Sequence, residues 1–70
     1  MINNMVKVRL ILMFQGRVEH DIETQMIRPR LKETITLPEH GGHYTIKFIQ
    51  HMFDENNKFE SLMITGIKKV

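Results

Sequence analysis

The sequence predicts an all-β chain, and three observations carry that prediction. Alanine is absent from the 70 residues, while isoleucine, valine and threonine recur throughout, a composition that favours pleated sheet over helix. Apolar residues return at every second position along several stretches, the period at which one side of a strand is buried. Turn-forming pairs and runs, Gln15-Gly16, Arg28-Pro29, Gly41-Gly42 and Asp54 to Lys58, fall between those stretches, and these are the residues that redirect a chain.

From Met5 to Gln15, Val6, Val8, Leu10, Leu12 and Phe14 occupy alternate positions, with Lys7 and Arg9 on the opposite face. This is a strand with one buried side. Gln15-Gly16 supplies a glycine for a tight hairpin turn. In the next stretch Val18, His20, Ile22, Thr24 and Met26 alternate with Glu19, Asp21, Glu23 and Gln25, a second strand. Val18, Ile22 and Met26 also trace a narrow stripe at spacing four, so residues 18–27 keep a helix as the alternative. Arg28-Pro29 breaks either element, because proline lacks an amide proton and restricts the residue before it. Leu31, Ile35 and Leu37 then alternate with Arg30, Lys32, Thr34 and Thr36, and Glu33 intrudes on the apolar side, the mark of an edge or rim. Tyr44, Ile46, Phe48 and Met52 alternate with Thr45, Lys47, Ile49, His51 and Phe53. After the polar run Asp54 to Lys58, Leu62 and Ile64 alternate with Phe59, Met63 and Ile67. The expected architecture is one small domain over residues 1–70. It is an antiparallel meander of four to five strands, curled into a twisted sheet or an SH3- or OB-like barrel.

Composition bounds the function. A chain this short buries only about 60% of the surface it exposes when unfolded, so its core is marginal on its own. Without cysteine neither a disulfide framework nor a thiolate metal cage can reinforce it, which leaves association as the remaining reinforcement. The longest apolar run, Leu10 to Phe14, is five residues where a membrane span needs about 20. Met1-Ile2-Asn3-Asn4 lacks the charged start and apolar core of a signal peptide. The expectation is therefore a soluble cytoplasmic chain with no membrane contact. Ten Lys plus Arg against eight Asp plus Glu give a net charge of only +2, too small an excess for a dense basic surface.

The segment from Pro38 to Met52 holds three of the four histidines beside Gly41-Gly42. His43 and His51, eight residues apart on one strand, are about 26 Å from each other and cannot share an ion whose ligands each lie about 2 Å away. His40 and His43 could pinch one across the glycines, but a third ligand would have to come from His20 or Glu39. A hairpin loop with solvated histidines explains the same residues without a missing ligand, so no metal and no cofactor are expected. Ser61 is the only serine, no phosphate-binding glycine loop is present, and Glu19, Asp21 and Glu23 read as the solvated side of a strand. No enzyme and no small-molecule substrate are expected.

Two binding surfaces remain. Arg28, Arg30 and Lys32, with Lys47 beside them, form a ridge suited to phosphates. Phe14, Tyr44 and Phe48 are assigned to the core, however, and only Phe53 and Phe59, away from the ridge, are left to stack on bases. The larger signal is a surplus of apolar residues, because strands one, four and five carry them on both faces. Pairing Phe53 with Phe59 sets Ile49 opposite Met63, His51 opposite Ser61 and Phe48 against Ile64. Outside the core lie Ile49, Phe53, Phe59 and Met63, joined by Ile11 and Met13 if strand one borders strand five. Such a patch marks a partner site, and methionine suits it. The expected role is a non-enzymatic protein-interaction module, either a homo-oligomer or a small accessory or inhibitor protein of the phage or mobile-element type docked on a larger partner. The alternative is a nucleic-acid-binding barrel.

Overall fold

The computed structural model describes residues 5–40 and 42–69. The strands are β1 (Met5–Phe14), β2 (Arg17–Ile27), β3 (Thr34–Leu37), β4 (Gly42–Phe53) and β5 (Phe59–Lys68), with one short 3-10 turn at Pro38–His40. The alternation of residues 18–27 resolves as strand, and no α-helix occurs among the described residues. Gln15 and Gly16 both take positive φ, 51° and 77°, the two-residue turn whose twist matches its flanking strands.

The strand order is β2-β1-β5-β4-β3. Three of the four pairings are antiparallel and β1 runs parallel to β5, so the expected curled sheet of antiparallel hairpins is mixed where its first and fifth strands meet. Residues 28–33 carry the chain from β2 at one end of the sheet to β3 at the other, which makes β1 and β5 central neighbours pointing the same way. Periodicity fixes that a segment is a strand and which of its residues share a side. It does not fix the direction of a non-sequential neighbour. The third strand is also shorter than its alternation suggests, because Lys32 takes φ 71° and turns the chain before Thr34. Backbone bonds from Lys32 N to Ile46 O (2.9 Å) and from Ile46 N to Glu33 O (2.8 Å) continue the pairing with β4 through that turn.

The buried core is Val8, Leu10, Leu12, Tyr44, Ile46, Leu62 and Ile64. Ile22 and Met26 of β2 and Ile35 and Leu37 of β3 pack against the same cluster. Because β2 and β3 stand at opposite ends of the strand order, the sheet must curl to bring them there, giving a half-barrel. Tyr44 fills one end of it. A Cβ on Gly42 would lie 2.5 Å from Cε1 of Tyr44, and one on Gly66 would lie 2.9 Å from Cδ2 of Leu12. These glycines leave the room that the tyrosine and leucine occupy.

Three β-bulges interrupt the alternation, with extra residues at Glu19, Lys47 and Glu60. Each re-aims the side chains beyond it along the strand.

Candidate interaction surface

Past Lys47 the parity of β4 is reversed. Phe48 pairs with Thr65 and Ile49 with Ile64, so Ile49 turns inward against the core cluster and Phe48 turns outward, 63% exposed. Both expected assignments are thereby corrected: Phe48 is not core, and Ile49 is not part of the outer patch. The β4–β5 hairpin keeps Phe53 opposite Phe59. The extra residue at Glu60 then sets Gln50 opposite Met63 and His51 opposite Leu62, one step away from the expected Ile49–Met63 and His51–Ser61 pairs.

The outer face of the central strands carries Ile11 beside Thr65, Met13 beside Ile67 and Arg9 beside Met63. Ile11, Met13 and Met63 are half-buried there by their neighbours. Phe48 continues the row beyond Thr65, and Met52 lies beside Ser61. At the hairpin end Phe53 and Phe59 are 58% and 47% exposed, with ring centroids 6.1 Å apart in an edge-to-face contact, the arrangement that aromatic quadrupoles favour. A cleft of about 150 Å³ joins Phe53 and Met52 to Met63, with Lys7 and Arg9 of β1 on its other wall. Of the six expected contact residues, Ile11, Met13 and Met63 lie on this outer face; Phe53 and Phe59 stand exposed at the hairpin end with the parity of His51, whose ring centroid is 6.4 Å from that of Phe59, and Ile49 is turned inward. Phe48 and Met52 were missed. The sequence signal was present in the doublets Phe48-Ile49 and Met52-Phe53, since two consecutive apolar residues on a strand cannot both face one core.

A second hollow, about 620 Å³, lies along the β4 edge between residues 47–51 and the turn carrying Arg28, Pro29 and Leu31. Arg28 and Lys47 line it together with Phe48, while Arg30 and Lys32 are exposed on the same turn. The expected basic ridge therefore has an aromatic beside it after all. Glu33, the acid in that turn, directs Oε1 to the backbone N–H of Arg30 at 2.7 Å.

The acidic side of β2 is divided. Asp21 takes two bonds from the guanidinium of Arg9, at 2.8 and 2.6 Å, which holds its carboxyl below the ordinary range. Glu19, re-aimed by its bulge, accepts the phenol O–H of Tyr44 at 2.8 Å, with Lys68 Nζ at 3.5 Å. Those contacts, the tyrosine's foremost, lower the Glu19 pKa. Burial and the same carboxylate raise that of Tyr44. The ammonium of Lys68 also lies 5.0 Å from the centre of the Phe14 ring, within reach of a cation–π attraction. This cluster supplies the partner that a buried phenol requires.

Among the described residues no three His, Asp or Glu side chains converge as metal ligands. The disfavoured alternative, a pinch of His40 and His43 across the glycines, involves Gly41 and the His40 side chain, which lie outside the described residues. His43 Nδ1 is 3.1 Å from the hydroxyl of Thr36 on the neighbouring strand. No family model matches the chain, and neither a curated protein nor a solved structure matches it.

Proposed function

We propose that this chain is a non-enzymatic interaction module that takes a protein partner on its outer sheet face and hairpin end. It acts as a homo-oligomer or as a small accessory protein docked on a larger chain. The observation that carries this reading is the exposure of Phe48, Phe53 and Phe59 on a single hairpin, beside Met52. Aromatic and methionine side chains are the residues enriched at protein interfaces, and an apolar cluster of this kind on a small domain is costly to leave in water. Photo-crosslinking in the producing cell tests it, with a benzophenone amino acid at position 48, 53 or 59 and a control at Thr36. Discrete protein adducts at the three hairpin positions and none at Thr36 are expected. Equal labelling at all four positions, or no adduct at any, overturns the reading.

A second reading is favoured by one specific observation, the presence of Phe48 in the same hollow as Arg28 and Lys47. A stacking ring beside cations is how single-stranded nucleic acid is held. With Arg30 and Lys32 included, four cations would give a log–log salt slope of about −3 for a single strand. Fluorescence anisotropy with a labelled oligonucleotide reads that slope directly, and no binding at ~50 mM salt removes the reading.

A further inference from the structure

A sheet that does not close has two outer edges and must protect them, because a row of unpaired N–H and C=O groups is a template for another strand. Here β2 carries Arg17, Glu19, Asp21 and Glu23 along its length, and β3 is only four residues long. Charge and shortness are two of the ways edges are blunted. The third exposed edge has neither protection. β3 pairs with residues 42–45 of β4, and the turn before β3 extends that pairing to Ile46. Among the described residues nothing pairs with residues 47–53 on the side away from β5. Apart from Lys47 at its start, that stretch reads Phe48-Ile49-Gln50-His51-Met52-Phe53, without an acid, a proline or a glycine.

We propose that the β4 edge pairs with the β4 edge of a second copy of this chain, antiparallel about a two-fold axis at Gln50. The proposal rests on the reading that this surface takes a protein partner, and it names that partner. Three features of the edge fit self-pairing. Gln50 is the midpoint of residues 47–53, so the two-fold leaves none of the seven unpaired. An antiparallel ladder also places opposed side chains on the same face. A centre at Gln50 then sets Phe48 against the partner copy's residue 52 on the outer face, methionine against phenylalanine, and keeps Ile49 and His51 together on the inner one.

The third feature is charge. The edge is basic where it begins, with Arg28, Arg30, Lys32 and Lys47, and acidic beyond its end, where Asp54, Glu55 and Glu60 outnumber Lys58. Antiparallel self-pairing lays each basic end against an acidic end, twice over, as an isologous interface requires. Parallel stacking would set like against like. The same geometry brings residue 53 of one copy opposite Lys47 of the other, at the mouth of the 620 Å³ hollow lined by Arg28, Pro29 and Leu31. That hollow receives an exposed phenylalanine ring.

Gln50 is exposed, so its substitution tests the interface without disturbing the core. Sedimentation of the full chain is expected to show a mass rising towards twice 8.3 kDa with concentration. Gln50→Lys and Gln50→Glu each set like charges on the axis and are expected to sediment as monomers with unchanged circular dichroism. An equimolar mixture of the two restores the doubled mass. Because the chain has no cysteine, Gln50→Cys gives an independent readout: paired Cα atoms about 4.5–5.5 Å apart admit a disulfide. Oxidation is therefore expected to yield a covalent dimer at least tenfold faster than for Thr36→Cys. A wild-type chain that stays at 8.3 kDa, single variants that dimerise like wild type, or equal oxidation at positions 50 and 36 each overturn the proposal. If hairpin cross-links to a different protein persist in that case, only the self-pairing fails. If they are absent too, the interaction reading falls with it.

Discussion

At the scale of single residues, the Tyr44–Glu19 contact couples packing to charge. The folded-state pKa of Glu19 is depressed below its ordinary value of 4.5, so its contribution is fully present above that value and is lost as pH falls through the lower folded one. The raised pKa of Tyr44 acts at the other end, where stability present below 10 is lost as pH rises beyond it. Tyr44→Phe deletes the O–H and keeps the ring. Melting followed between about pH 6 and pH 2 should therefore show the variant less stable near pH 6 and converging on wild type as Glu19 protonates. A gap independent of pH would refute the coupling. Gly42→Val probes packing alone: its Cβ would meet the Tyr44 ring at 2.5 Å, and the overpacking is expected to cost about 1–3 kcal/mol in urea unfolding. Tyr44 and the core positions Val8, Leu10, Leu12, Ile46, Leu62 and Ile64 were legible in the sequence because they keep strict alternation. Glu19 was not, since as one of the alternating acids Glu19, Asp21 and Glu23 it reads as solvated. Only the bulge turns it to the tyrosine.

At the scale of elements, strand and turn positions were largely legible, and the departures trace to single inserted residues. A period of two reports only relative parity, so one extra residue inverts everything beyond it. Lys47 does this to Phe48 and Ile49, and Glu60 does it to the hairpin pairing. The bulges are hard to read locally because a charged residue on a strand is also the ordinary sign of a solvated side. Turn chemistry is more direct. Gln15 sits at φ 51°, in the left-handed region that asparagine tolerates better than glutamine and that the favoured Asn-Gly hairpin turn exploits. Gln15→Asn is expected to stabilise the chain by about 0.5 kcal/mol, a rise in Tm of about 2–4 °C for a domain of this size. Differential scanning calorimetry resolves such a change. No rise, or a fall, would mean that the turn is not limiting.

At the scale of the molecule, strand neighbours were the least legible feature. The β1–β5 contact was expected from closure, and with five strands alternating in direction the first and fifth run parallel; what no local pattern records is that residues 28–33 cross from one end of the sheet to the other. The half-barrel also leaves a thin reserve of stability. Seventy residues at about 0.05–0.15 kcal/mol each give roughly 4–10 kcal/mol, so the loss of about 2–5 kcal/mol expected for Leu12→Ala removes a large share of it. Association through β4 would add to that reserve, and the addition has a signature that needs no knowledge of the interface. If only the folded chain pairs, each tenfold rise in concentration above the dissociation constant stabilises it by about 0.7 kcal/mol per chain. At this size that is an increase in Tm of about 3–6 °C. Gln50→Lys should melt at one temperature over the same concentrations, because its monomer has nothing to gain by mass action. Parallel slopes for wild type and variant would place any association elsewhere than the β4 edge. A flat wild-type line would leave this core to stand on its seven buried side chains alone.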